Sequence, residues 1–150
     1  MGWQDEARKA VGESWWQWFD GMCVWNAFAN DEPETCHPFE VARYFDGEWV
    51  TYESDVFPAD HEDTPAWILA WGCPDLQDAA TVGCIRAEVE RLCAERGYST
   101  RWETSEAGMH RLRIYGHAHN LIWADSAYSS ATTDLAGLCA LRALRWLHEQ

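Results

Sequence analysis

His117 and His119 stand two residues apart in strand-like chain, a spacing that puts two imidazoles on one face and suits shared metal ligation. Cys36-His37 offers a second Cys/His pair, and Asp60-His61-Glu62-Asp63 could hold a divalent cation weakly. Against a metal centre, there is no Cys-x-x-Cys, no second pair with zinc-finger spacing, and no calcium-loop spacing in the acidic tetrad. A surface histidine pair beside a turn at Gly116 accounts for His117 and His119 equally well, so no metal and no cofactor is expected. Thiol chemistry needs a cysteine with a lowered pKa, at a helix N-terminus or near a cation. Among Cys23, Cys36, Cys73, Cys84, Cys93 and Cys139, Cys84 comes nearest, near the start of an expected helix and on its polar side. The alternative is an inert thiol, and the wide spacings favour six reduced cysteines packed as small hydrophobes. Asp31-Glu32, Asp60/Glu62/Asp63 and Asp75/Asp78 pair carboxylates, but acid–base work requires a cleft and one raised pKa, and these stretches read as hydrated loops. No Walker loop or Gly-x-Gly-x-x-Gly is present. The chain reads as a non-enzyme with no catalytic residue to assign; the enzyme alternative is a hydrolase using Cys84 or the His117/His119 pair.

The elements that would position these groups follow from periodicity. Trp3, Ala7, Ala10, Val11, Ser14, Trp15 and Trp18 recur at helical spacing and predict a helix over 3–19, with Asp5 and Glu6 in its first turn. Trp16 projects to the other side, exposed or covering another element. Residues 22–28 extend this helix past Gly21 or form a separate short element. Residues 30–38 read as a polar loop. Val41–Phe45 and Glu48–Tyr52 flank Asp46-Gly47, a two-residue connection suited to a type I′ hairpin, in a register pairing Tyr44 with Trp49 and Ala42 with Thr51. An acidic linker follows over 55–63. Residues 64–72 fit a short helix or a strand. Asp78 caps a helix over about 79–96 that ends at Gly97, with Val82, Ile85, Val89, Leu92 and Cys93 as its apolar stripe. Strands are expected over 98–104, 109–115 and about 119–125. A last helix over about 134–148 is apolar nearly all round and so mostly buried.

The fold class predicted is therefore α+β: a C-terminal three-stranded antiparallel meander and an N-terminal Asp46-Gly47 hairpin, packed with three main helices. At 150 residues the chain is read as one domain, with an acidic, Trp-rich half over 1–63 and an α-β-β-β-α unit over 74–148. The N-terminus lacks a basic region followed by an apolar run, and no stretch has membrane-spanning length, so the cytoplasm is the expected compartment.

Charge is the strongest whole-chain signal. The net charge is -14, and residues 1–63 hold fifteen acids against Arg8, Lys9 and Arg43. Residues 64–150 hold ten acids and eight arginines. Such a field repels nucleic acid and membrane surfaces and attracts basic ones. Solubility is the plain alternative. A functional acidic face would be built from Asp31, Glu32, Glu34, Asp46, Glu48, Glu53, Asp55, Asp60, Glu62 and Asp63, with Trp16 as an aromatic anchor.

Residues 74–84, PDLQDAATVGC, and 133–144, TDLAGLCALRAL, resemble the helices of short proteins from tailed phages and prophages that carry an α-β-β-β-α unit, the phage ABA-sandwich domain. The likeness covers about half the chain and implies a phage origin and that fold, with no catalytic residues to carry over. With the acidic half it points to a phage accessory protein that binds and inhibits a host nucleic-acid-handling or defence complex, as anti-CRISPR proteins do, acting as a nucleic-acid mimic on a basic protein or ribonucleoprotein surface in the host cytoplasm. The alternative is a homo-oligomeric structural phage protein, such as a homodimer.

Overall fold

The computed structural model describes residues 3–26, 42–51, 56–58, 72–106, 109–128 and 136–150. These form α1 (Trp3–Val11), β1 (Cys23–Asn26), β2 (Ala42–Phe45), β3 (Glu48–Thr51), β4 (Val56–Pro58), β5 (Gly72–Pro74), α2 (Ala79–Glu95), β6 (Ser99–Thr104), β7 (Met109–Tyr115), β8 (Leu121–Tyr128) and α3 (Ala136–His148). The chain is α+β, with a five-stranded sheet in the order β4-β3-β2-β1-β5 and a three-stranded sheet in the order β6-β7-β8. Both are antiparallel throughout. The chain divides into two compact units, Met1–Thr81 and Val82–Gln150. Among the described residues no helix is long and apolar enough to cross a membrane.

In the first unit α1 buries Trp3, Ala7 and Ala10, the apolar stripe that the spacing predicts. The helix stops at Val11 rather than near residue 19. Gly12 and Ser14 are weaker helix formers at the point of exit, and Trp18 finds its partner on the sheet instead. Trp18 meets Trp49 edge-on with ring centroids 4.8 Å apart, and Trp49 meets Tyr44 at 5.3 Å. Val24, Ala42 and Trp49 form the buried core, with Trp18, Tyr44 and Phe57 packed against it. The hairpin turns as its sequence predicts: Asp46 and Gly47 have φ of 48° and 79°, and Tyr44 pairs with Trp49 and Ala42 with Thr51.

One expectation is corrected here, and one alternative left open by the sequence is decided. Residues 56–58, within the expected acidic linker, form an edge strand that pairs Trp49 with Phe57. The region after Gly21 is a strand, because Gly21 at φ 96° redirects the chain and β1 finds partners on both sides, β2 and β5. The ambiguous stretch over 64–71 lies outside the described residues.

The second unit follows its sequence closely. Ile85, Val89, Leu92 and Cys93 are buried on α2. The helix ends at Gly97 in a Schellman cap: Tyr98 N–H donates to the Cys93 carbonyl at 2.8 Å and Gly97 N–H to that of Ala94 at 3.1 Å. Leu112 and Ile114 are fully buried on the central strand β7. On α3, Leu138 to Leu141, Ala143, Leu144 and Leu147 are buried, and Trp146 stacks on Trp123.

Candidate functional site

The carboxylate surface of the first unit depends on where its few cations go. Arg43 lies on β2, and its guanidinium forks onto Asp78: Nη1 donates to Oδ2 at 3.1 Å and Nη2 to Oδ1 at 3.2 Å. Nη1 also donates to the Gly21 carbonyl at 2.6 Å. Asp78 in turn caps α2, accepting from Thr81 N–H at 3.0 Å and from the Thr81 hydroxyl at 2.8 Å. The buried Thr81 hydroxyl accepts from Cys23 N–H at 2.8 Å, tying β1 to the same knot. Partial burial opposes charge on Asp78, but the hydrogen bonds from Arg43 and Thr81 outweigh it and hold the carboxyl below its ordinary range. Asp75 goes the other way: burial, aided by the neighbouring Asp78 charge, raises it despite a hydrogen bond from Gln77 N–H. Arg8 pairs with Asp5 at 3.6 Å. Arg43 is the one formal cation between residues 12 and 85, and its charge is used inside the fold.

The hairpin end, by contrast, projects carboxylates. Asp46 and Glu48 are exposed, and neither pairs with a cation among the described residues. Asp20 joins them by accepting from Asp46 N–H at 2.8 Å. Phe45, directly opposite Glu48, is 46% exposed, and Val56, opposite Val50 on the same face, is 51% exposed. Trp16 is half-buried and packs within its own segment, meeting Trp15 at 6.2 Å and Trp18 at 5.4 Å. Its Nε1 is buried without a partner among the described residues. Of the residues expected to build an acidic face, Trp16, Asp46 and Glu48 are thus located. Asp31, Glu32, Glu34, Glu53, Asp55, Asp60, Glu62 and Asp63 lie outside the described residues, as does Cys36.

His117 and His119 fall in the β7–β8 turn rather than on a strand, which corrects the expected start of the third strand. Gly116 N–H donates to the Asn120 carbonyl, His119 takes a φ of 58°, and β8 begins at Leu121. His117 instead packs edge-on against Tyr98. Among the described residues no group of three or more His, Cys, Asp or Glu side chains is placed to hold a metal ion. Burial pushes the thiols of Cys23, Cys73 and Cys139 up to about 12 and that of Cys93 up to about 11, which makes them poor nucleophiles at neutral pH. A hollow of about 40 Å³ touches Trp102, His110 and Cys139, far below the size of a small-molecule site.

One feature of the second unit escapes a reading based on whole-chain charge. Leu112 and Ile114 of β7 face the core, so Met109, Arg111, Arg113 and Tyr115 share the opposite face. Arg101 on β6 is directly opposite Arg113, and Glu103 is opposite Arg111. The alternation Arg111-Leu112-Arg113-Ile114-Tyr115 carried that signal in the sequence. No family model matches the chain, and no curated protein or solved structure matches it.

Proposed function

We propose that this chain is a phage or prophage accessory protein that acts by stoichiometric binding, presenting the carboxylates of its first unit to a basic partner. Inhibition of a host nucleic-acid-handling or defence complex, in the manner of anti-CRISPR proteins, is the activity that such a surface suits, since it offers the charge pattern of a nucleic acid to a cationic groove. The observation that carries the reading is the partition of charge. Seventeen of the 25 acids and three of the 11 basic residues lie in residues 1–81, giving that unit the entire net charge of -14, while residues 82–150 balance eight against eight. Two of those three cations are paired within the unit, which leaves Asp46 and Glu48 uncompensated at the hairpin end.

Affinity capture from a bacterial lysate, compared between low-salt and high-salt washes and against a charge-reversed variant, tests this. The variant carries Asp46→Lys, Glu48→Lys, Asp60→Lys and Glu62→Lys. One basic protein or ribonucleoprotein held by the native chain in low salt, released in high salt and missed by the variant is the expected result. A partner retained equally in high salt and by the variant contradicts it. The exposure of Phe45 and Val56 on one sheet face favours, as a second reading, a homo-oligomeric structural phage protein; its mass across a concentration series decides, and a strict monomer excludes it.

A further inference from the structure

From the outer face of the three-stranded sheet we infer that the second unit carries a binding platform for single-stranded nucleic acid, centred on Arg111, Arg113 and Tyr115 with Arg101 at its flank. The inference goes beyond the acidic-surface reading and does not depend on it.

Three of the eight arginines of this unit are committed away from the sheet face. Arg91 bridges Glu88 and Glu95, Arg86 pairs with Glu90 and lies over the Trp102 ring, and Arg142 pairs with Asp125. The sheet face differs. Two guanidinium groups share the single carboxylate of Glu103, which meets Arg101 at 2.7 Å and Arg113 at 3.7 Å through the same oxygen. Arg111, though directly opposite Glu103, makes no ion pair among the described residues. Like charges set opposite each other on neighbouring strands, as Arg101 and Arg113 are, destabilise a sheet. An arrangement that costs stability and leaves net positive charge on an open face calls for an anion to complete it.

The shape of the face selects among anions. Arg111 and Arg113 are two residues apart on one strand, so their side chains rise about 7 Å from each other, a spacing comparable to that of successive phosphates in an extended strand. Across from them stand the small exposed residues Ala124 and Ser126, and with Asp125 these line an open hollow of about 330 Å³ beside the two guanidinium groups. Tyr115 follows on the same strand, past a register shift between Ile114 and Tyr115, and its cross-strand neighbour Leu121 is 54% exposed. Cations followed by an aromatic and an apolar side chain match a phosphate backbone with a base to stack. A carboxylate-rich peptide would satisfy the arginines and leave Tyr115 and Leu121 without a role. The unit that carries this face is itself neutral, with eight acids against eight arginines in residues 82–150.

Fluorescence anisotropy of a labelled oligothymidylate titrated with the full-length chain at low ionic strength tests the platform. Binding should weaken with salt, with a log–log slope near -2 for about three phosphate contacts on a single strand. Arg111→Ala with Arg113→Ala should flatten that slope and cost at least about tenfold in affinity, while far-UV circular dichroism shows the fold intact. Tyr115→Ala should weaken binding about tenfold and leave the slope unchanged, the signature of lost stacking. Absence of binding at low salt, binding indifferent to all three substitutions, or equal affinity for a labelled polyglutamate peptide overturns the inference.

Discussion

In residues 1–81, Arg8 and Arg43 are tied to Asp5 and Asp78, and exposed carboxylates remain over at the hairpin end. In residues 82–150 the arrangement is inverted: Glu88, Glu90, Glu95 and Asp125 are paired with arginines, and guanidinium groups remain over on the sheet face. Net charge therefore gives the sign of the first unit's exposed groups and misses those of the second. What a surface offers depends on which charges the fold uses internally, and Arg43 shows this best. It is one of only three cations in the sequence of an acidic unit, yet its guanidinium joins a strand, a turn carbonyl and a helix cap.

The sharpest way to break the first unit is at its aromatic centre. Trp49→Ala should cost about 3–5 kcal/mol, because the indole is 2% exposed and touches Trp18 and Tyr44, and chemical denaturation reads the loss. Next in size is Asp78→Ala, which removes a helix cap and leaves the Arg43 fork without its carboxylate, for about 2–3 kcal/mol. Its pH dependence has a definite sign. The folded-state pKa of Asp78 is depressed, so its stabilisation is present above the ordinary aspartate range and is lost as pH falls through the folded value. The native chain should lose stability on that acid limb, and the variant should lack this component.

The second unit is probed by Gly97→Ala. A Cβ there would lie 2.6 Å from His117 Cε1 on a backbone at φ 73°, so a loss of about 1–2 kcal/mol is expected in thermal melts. His117→Ala in the same background should return only part, since it relieves the clash and leaves the backbone strain. The smallest effect has the opposite sign. Asp75 is raised by burial, so its contribution is fully present below the unfolded pKa and is lost as pH rises through the folded one. Asp75→Asn, which keeps an oxygen for Gln77 N–H, should stabilise the chain at pH 7 by under about 1 kcal/mol, with no gain at low pH.

Local signals carried much of the fold. The Asp46-Gly47 hairpin and its register, the Asp78 cap and the Gly97 stop all follow from chemistry within a few residues. The misreadings came where distant partners decide. Trp15 and Trp18 fit the helical stripe of α1, but the sheet offers Trp18 an aromatic partner in Trp49, and α1 ends at Val11. β1, β4 and β5 are three or four residues long, too short for a periodicity, and exist because neighbouring strands supply their hydrogen bonds. At the candidate sites, Asp46 and Glu48 were legible from the turn. The arginine stripe was hidden because the whole-chain charge of -14 averages over two units of unlike character.

Backbone amide shifts of the full chain, titrated with a short arginine-rich peptide, test the segregation of charge most directly. The account predicts salt-sensitive perturbations at Asp20, Asp46, Glu48 and their neighbours, with Arg101, Arg111 and Arg113 unaffected. Perturbations spread evenly over both units, or centred on the β6–β8 sheet, would contradict it.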